Sequence, residues 1–195
     1  MRGKNRRKTT FGLPTSDEPE EEGKGMMQPE AAAARARSAQ GIAFRPIRPE
    51  DAGFLYEVYA STRQDEMAVL PWEPSQKEAF LRMQFKAQHE YYQEHYPGDS
   101  FQVILLDGRP IGRLYLGRWE QEFRVIDIAL LPAYRNRGIG SALMHDILKE
   151  AGQAGKPVRI HVEKTNPALR LYGRLGFSKI EDKGVYDLME WRGKA

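Results

Sequence analysis

Two apolar segments separated by an amphipathic helical segment constrain the fold of this chain more than any other feature. The segments EFRVIDIALLP and PVRIHVEK are predicted strands, and GIGSALMHDILKEAGQAG lies between them. In the middle segment Ile139, Leu143, Ile147 and Ala151 recur every four residues, which predicts a helix with one apolar face. Strands joined by a helix lie parallel in one sheet, so we expect a parallel pair here.

Segments on both sides predict antiparallel strands and further helices. GIAFRPI alternates as a strand does, and FQVILLDGRPIGRLYLGRW predicts two strands around a turn at Asp107 and Gly108. FSKIED and GVYDLMEW form a final pair, and helices are predicted at RPEDAGFLYEVYASTR, NPALRLYGRLG and PSQKEAFLRMQFKAQHEYYQEHY, the last ended by Pro97-Gly98. The order predicts an α/β fold, a mixed, mostly antiparallel seven-stranded sheet flanked by helices, with strands 4 and 5 parallel.

The first 40 residues differ in composition from the rest of the chain. RGKNRRK is basic, SDEPEEEGKG is acidic, and neither contains periodic apolar residues. We therefore expect a disordered charged tail over residues 1–40 and a single domain over residues 41–195. The chain has a net charge of +3, but residues 41–195 contain 22 Lys and Arg against 21 Asp and Glu. That balance predicts no nucleic-acid partner, although a binding arm at the basic N-terminus is an alternative.

Several classes of protein and site are disfavoured by what the sequence lacks. No apolar run approaches 18 residues, so no membrane partner is expected, and MRGKNRRKTT lacks the apolar segment of a secretory signal. The absence of cysteine excludes disulfides and thiolate ligands. His89, His95 and His145 have no metal-ligand spacing, so we expect no metal. Together these features predict a cytoplasmic protein.

The segment LLPAYRNRGIGSAL joins predicted strand 4 to the following helix. Gly138 and Gly140 allow backbone amides to approach a ligand without an intervening Cβ, and Arg135 and Arg137 add positive charge. At a helix start those amides are unpaired, which favours phosphate binding. A dinucleotide loop would need a third glycine where Leu143 stands, and an ATP-binding loop would need Gly-Lys-Ser/Thr. A plain helix-starting turn remains the alternative.

A second segment, NPALRLYGRLGF, predicts a short helix after strand 5. Asn166 precedes it as a cap, Pro167 takes its first position, and Gly176 ends it. Tyr172 lies one and a half turns into this helix, where a half-buried packing role is the alternative to a chemical one.

Together the two segments resemble the signature of the GNAT superfamily of acyl-CoA-dependent N-acyltransferases. That signature is Gln/Arg-x-x-Gly-x-Gly/Ala, followed one strand later by Asn-x-x-Ala-x-x-x-Tyr-x-x-x-Gly-Phe. The signature positions are filled by Arg135, Gly138, Gly140, Ala168, Tyr172, Gly176 and Phe177, and the asparagine, Asn166, stands one residue nearer to Ala168 than the signature has it. The order of elements agrees as well, and the resemblance covers residues 42–192.

The resemblance implies a binding mode for acetyl-CoA, the expected co-substrate. The pyrophosphate would rest on the amides of Asn136, Arg137, Gly138, Ile139, Gly140 and Ser141. Strand 4 would splay from strand 5 after a bulge, and the pantetheine arm would pair with backbone at Ile128, Ala129 and Leu130. The Leu130 N–H would then stabilise the oxyanion of the tetrahedral intermediate. Asn166 would contact the coenzyme A arm.

The resemblance also implies roles in proton transfer. A tyrosine at the position of Tyr172 supplies the proton for the leaving thiolate in many members of the superfamily. In some members a strand-5 carboxylate is the base, and here that position is His161, which could act as base or only pack within the sheet. Asp127 on strand 4 is a second candidate base or a structural hydrogen-bond acceptor, and Glu122 is more distant.

The sequence therefore predicts an N-acetyltransferase that moves acetyl from acetyl-CoA to a primary amine by direct attack in a ternary complex. A catalytically weak acyl-CoA-binding or regulatory module of the same fold is the alternative. We expect the acceptor, a small molecule or a protein amine, beside QDEMAVLPWEPS, where Asp65 or Glu66 could attract an ammonium group. Met67 and Trp72 could line the pocket, or Trp72 could close the core. A homodimer is left open.

Overall fold

The computed structural model describes residues 41–96 and 99–193. Seven strands are found there: β1 (Ile42–Pro46), β2 (Ser100–Leu106), β3 (Arg109–Arg118), β4 (Phe123–Leu130), β5 (Val158–Glu163), β6 (Ser178–Lys183) and β7 (Tyr186–Trp191). The α-helices of this part are α1 (Ala52–Thr62), α2 (Gln64–Ala68), α3 (Pro74–His95), α4 (Ile139–Gln153) and α5 (Leu169–Arg174). The predicted tail and the predicted helix stop at Pro97-Gly98 lie outside the described residues.

The seven strands form one sheet in the order β1-β2-β3-β4-β5-β7-β6. The β4–β5 pair is parallel and the other five pairs are antiparallel, which confirms the predicted mixed sheet. One element was missed, because two helices were predicted before β2 and the structure has the short α2 as a third. Arg63 interrupts the helix at φ −108° and ψ 5°, and Asp65 and Glu66 then occupy the first turn of α2, where acidic side chains favour a helix start.

Pairing between β4 and β5 ends before either strand does. The parallel register runs from Phe123 opposite Val158 to Val125 opposite Ile160. On its other side β4 stays paired with β3, with a bulge that leaves Ile126 without an opposite residue. A bulge bends a strand, so the end of β4 turns away from β5 and a gap opens between them. The predicted splay after a bulge is therefore confirmed.

Both faces of the sheet are covered, and each cover has its own apolar cluster. The helices α4 and α5 pack on one face, where Met144, Ile147 and Val158 are almost completely buried. The helices α1 to α3 supply a second cluster that includes Leu55 and Phe85. In the described part of the chain, no helix has the length and apolar character needed to cross a membrane.

The end of β4 lies unusually close to β3 because Gly112 has no side chain. A Cβ built on Gly112 would overlap the carbonyl oxygen of Ala129 and would lie 3.1 Å from the Cα of Leu130. Gly112 stands opposite Leu130 in the ladder, so its bare backbone decides how near β3 comes to the gap-lining end of β4.

We predict that Gly112→Ala lowers the free energy of unfolding by about 1–3 kcal/mol, because the added methyl group must push two paired strands apart. Urea unfolding followed by circular dichroism measures the change. Gly53→Ala in α1 is a matched control, since nothing lies within 4 Å of its added Cβ. That control should keep or raise the stability by up to about 1 kcal/mol. Equal stability of the two variants would contradict the close approach.

Candidate active site

The gap between β4 and β5 is lined by backbone groups of β4. The Leu131 N–H donates to the Ile111 carbonyl at 2.9 Å, so the backbone of Leu131 points toward β3. Because successive residues of a strand point to opposite sides, Ala129 also faces β3, whereas Ile128 and Leu130 face the gap. The structure thus brings two of the three predicted pantetheine-pairing residues to the gap and turns the backbone of Ala129 away from it.

The loop between β4 and α4 exposes a run of backbone amides. Asn136 and Gly138 both have positive φ, at 58° and 78°. No atom lies within 4 Å of a Cβ built on Gly138, so packing does not require glycine there. Glycine is favoured because it adopts the left-handed conformation easily, and it leaves the space beside the backbone open. Among the described residues, no backbone carbonyl accepts a hydrogen bond from the amides of residues 136–141. These six N–H groups lie at the positive end of α4 and form a site suited to an anion.

The two arginines of this loop point in different directions. Arg135 Nε donates to the Leu130 carbonyl and its Nη2 donates to Ser61 Oγ, each at 2.7 Å. Burial lowers the pKa of Arg135, and nearby Asp65 raises it by a smaller amount. Arg137 is exposed, and its guanidinium carbon lies 5.9 Å from the Tyr134 ring centre. Arg137 therefore adds charge at the surface of the loop, while Arg135 is bonded into the protein.

Tyr172 lies on α5 and is almost fully buried, with 5% of its surface exposed. Its ring meets the ring of Phe177 edge-on at 5.6 Å. Burial, and to a smaller extent the charge of Asp127, raises the pKa of the Tyr172 hydroxyl well above its ordinary value. The hydroxyl therefore keeps its proton at neutral pH, as a group that must donate a proton has to do.

Asn166 caps a turn that precedes α5. Its Oδ1 accepts the Ala168 N–H at 2.9 Å, and its carbonyl accepts the Leu169 N–H at 3.1 Å. The helix begins at Leu169, two residues later than predicted, because Pro167 and Ala168 form this turn and not the first helical positions.

Asp127 takes part in a buried ion pair on the face covered by α1 to α3. Arg113 Nη2 donates to Asp127 Oδ2 at 2.6 Å and to Gln88 Oε1 of α3 at 3.1 Å. The Arg113 side chain is only 4% exposed. Removing either partner of such a pair would leave an uncompensated charge inside the protein. In the structure Asp127 therefore accepts a charge-assisted hydrogen bond, and its role as a base stays a prediction.

His161 faces the same side of the sheet and contacts an arginine. Arg124 Nη1 lies 3.3 Å from His161 Nδ1. A guanidinium can only donate, so Nδ1 accepts and the neutral ring has its proton on Nε2. Arg124 also binds Glu122 Oε1, while Arg159 Nη1 binds Glu122 Oε2 at 2.7 Å. Glu122 is therefore part of an ion-pair network at the start of β4, away from the gap.

An ion-pair cluster that the sequence did not predict joins the α1–α2 corner to the sheet. Arg63 Nη1 binds Glu66 at 2.9 Å and Glu163 of β5 at 3.0 Å. The Tyr186 hydroxyl of β7 donates to Glu163 at 3.3 Å. Burial lowers the pKa of Arg63, but the charges of Glu163 and Glu66 outweigh it, so the net shift is upward. The three-residue spacing of Arg63 and Glu66 could have indicated their ion pair from the sequence. The contact with Glu163 could not be predicted in this way, because the two residues are 100 positions apart.

A groove of about 570 Å³ lies between α1 and α3, beside the residues that follow β4. Its lining includes Ser61, Met67, Leu81 and Leu131. Of the predicted acceptor residues, Met67 lines this groove and Glu66 binds Arg63. Trp72 is 37% exposed and meets Phe80 edge-on at 5.2 Å, and Asp65 is exposed. No group of three or more described His, Asp or Glu side chains could hold a metal ion.

Solved structures share this fold at low sequence identity. PaiA N-acetyltransferase from Thermoplasma acidophilum, in complex with coenzyme A, has a TM-score of 0.59 and 22% identity over 78% of this chain and 99% of its own. A GCN5-related N-acetyltransferase from Rhodopseudomonas palustris has a TM-score of 0.58 and 18% identity over 81% and 99%. The ribosomal-protein-S18-alanine N-acetyltransferase from Escherichia coli has a TM-score of 0.51 and 16% identity over 76% and 90%.

Sequence comparison assigns the family. A search of curated proteins gives no match to the chain. Residues 54–177, which are more than half of the chain, match the model of the acetyltransferase (GNAT) family. That segment runs from the start of α1 through the gap, the amide loop and Tyr172 to Phe177. The protein is an acetyltransferase that belongs to the GNAT family.

Proposed function

We propose that this acetyltransferase moves an acetyl group from acetyl-CoA to a primary amine by direct attack in a ternary complex. The observation that supports it best is the combination of an open gap in the sheet with six unpaired amides beside its mouth. The amides suit a pyrophosphate, and the gap suits an extended arm. The T. acidophilum N-acetyltransferase with the same fold is in complex with coenzyme A.

In this proposal acetyl-CoA lies along the end of β4. Its pyrophosphate accepts hydrogen bonds from the amides of residues 136–141, and Arg137 adds positive charge at the surface. The pantetheine amides pair with the gap-facing backbone of Ile128 and Leu130 in the manner of an added strand. Asn166 lies at the end of the β5–α5 connection, where it contacts the arm from the opposite side.

The Leu130 N–H stabilises the oxyanion. The nitrogen of the amine attacks the thioester carbonyl carbon, and the carbonyl oxygen gains negative charge as the tetrahedral intermediate forms. A backbone N–H that already points at this oxygen stabilises the charge without reorganisation. The Leu130 carbonyl faces the same gap but accepts a hydrogen bond from Arg135, so it is kept from repelling the oxyanion.

Tyr172 donates the proton that the leaving group needs. When the carbon–sulfur bond breaks, the electron pair stays on sulfur, and the Tyr172 hydroxyl protonates the thiolate. The hydroxyl, whose pKa is raised by burial, carries this proton at neutral pH before the reaction. The tyrosinate is then reprotonated from solvent, and the proton that the amine nitrogen loses is released to solvent by way of the base.

His161 is the proposed acceptor of the amine proton. A primary amine with a pKa of about 10 is mostly ammonium at neutral pH and must lose a proton before attack. The lone pair of the neutral His161 ring is on Nδ1, where it accepts a hydrogen bond from Arg124, so the ring takes up the amine proton when that hydrogen bond is released. Asp127 is less suited, because protonation would weaken its charge-assisted hydrogen bond with Arg113.

The proposal is tested by thiol release from acetyl-CoA in the presence of a panel of primary amines. We expect at least one amine to be acetylated, and Tyr172→Phe to lower kcat for it by about 100-fold or more. Coenzyme A affinity should stay close to that of the wild type, because the ring and its packing are kept. Tyr91→Phe on α3 is the control and should keep full turnover. An unchanged kcat in Tyr172→Phe would remove the acid role, and no acetylated amine would defeat the proposal.

The amide loop can be tested with two glycines in the same backbone conformation. Gly138 has φ 78° and Gly155 has φ 67°, and no atom lies within 4 Å of a Cβ built on either. Alanine at each position should cost a similar amount of stability, about 1 kcal/mol. Only Gly138→Ala should weaken coenzyme A binding, by about tenfold or more in calorimetry, since each 1.4 kcal/mol is tenfold in affinity. Equal affinities in the two variants would contradict the proposed phosphate site.

The pH dependence of kcat/KM distinguishes the two candidate bases. A base works in its deprotonated form, so the wild-type value should rise with pH through the ionisation of that base. We expect His161→Gln to flatten this rise, and Asp127→Asn to lower the rate while keeping the rise. His145→Gln, on the exposed side of α4, is the control for loss of a histidine. If Asp127→Asn flattened the profile and His161→Gln did not, the roles would be reversed.

A further inference from the structure

We infer that Arg135 is a positioning residue that holds the gap-facing end of β4 against α1, in addition to any charge it adds to the loop. This inference rests on the proposed function, because it concerns the backbone that would face the thioester. Arg135 is the first residue of the motif Arg-x-x-Gly-x-Gly, where its charge alone suggested a phosphate ligand.

The hydrogen bonds of Arg135 form a continuous chain from β4 to α1. Its Nε donates to the Leu130 carbonyl and its Nη2 donates to Ser61 Oγ, each at 2.7 Å. The Ser61 hydroxyl donates in turn to the Val58 carbonyl at 2.7 Å, so it must accept from Arg135. Ser61 is 8% exposed, and its hydroxyl joins the two partners by donating one hydrogen bond and accepting the other.

The bonded carbonyl belongs to the residue whose N–H is the proposed oxyanion donor. Both groups of Leu130 face the gap, where β5 no longer pairs with β4. If only β3 bound the end of β4, the peptide groups of that end could change their orientation. Arg135 restricts this motion because it binds the Leu130 carbonyl from the gap side. On the other side Gly112 allows β3 to approach closely. The end of β4 is thus held from two directions.

The direction of Arg135 separates its role from that of Arg137. The two guanidinium nitrogens of Arg135 named above are committed to groups of the protein, whereas Arg137 is exposed on the same loop. A side chain that acts through Leu130 must affect every acyl donor that reaches the gap. A side chain that acts on the pyrophosphate must affect only donors that contain one.

Two acyl donors therefore test the inference, acetyl-CoA and S-acetyl-pantetheine, which has the arm but no pyrophosphate. Arg135→Lys keeps the charge and loses the two-donor geometry. We expect it to lower kcat with both donors by a similar factor, about tenfold to 100-fold, as for a small misplacement of the reacting groups. Coenzyme A affinity should change little. Arg109→Lys, an exposed arginine at the start of β3, is the matched control and should keep wild-type rates.

Wild-type kcat with both donors in Arg135→Lys, or a loss confined to acetyl-CoA, would overturn the inference. Ser61→Ala removes only the contact with α1. We expect it to lower kcat with both donors, by a smaller factor than Arg135→Lys does. It also serves as the test if Arg135→Lys does not fold.

A second readout requires no turnover. The Leu131 N–H is hydrogen bonded to Ile111 at the end of β4, so its exchange with deuterium reports on that end. Exchange should be faster in Arg135→Lys than in Arg109→Lys. If the wild type acetylates no amine, the proposed function fails, while faster exchange still supports the positioning role. If the wild type is active and exchange at Leu131 is unchanged, the inference fails and the proposed function stands.

Discussion

The arrangement of this protein depends on an interruption in the middle of its sheet. Backbone N–H and C=O groups in a sheet interior need partners, and β4 and β5 stop supplying them to each other after Val125 and Ile160. The bulge at Ile126 causes the divergence, and the flanking helices keep the two halves of the sheet together. The gap therefore exists because the rest of the fold compensates for the pairing that is lost there.

Most of the fold could be predicted from local patterns. The strand–helix–strand segment, the turn at Asp107-Gly108 and the capping residues each act over a few neighbouring residues, and all seven strands follow from them. The short α2 was missed because its five residues contain too little periodicity. The start of α5 was placed two residues early because a proline suits a turn as well as a helix start.

The candidate site was less predictable, because its contacts join distant parts of the chain. The motif resemblance named the loop, Tyr172 and the β4 backbone, but it could not indicate what each side chain binds. Arg113 meets Asp127 across two strands, and Arg63 meets Glu163 between a helix corner and β5. The charge of Arg135 was visible in the sequence, whereas its inward direction depends on where Ser61 stands in the fold.

The interrupted ladder also links stability to occupancy. An extended molecule that fills the gap can bind only the folded chain, since the two edges that it bridges are brought together by folding. At a free concentration 100 times its dissociation constant, such a molecule stabilises the folded state by about 2.7 kcal/mol. The resistance of this enzyme to heat and proteolysis would then rise with the concentration of the molecule that fills the gap, because that molecule supplies the hydrogen bonds that β4 and β5 do not give each other.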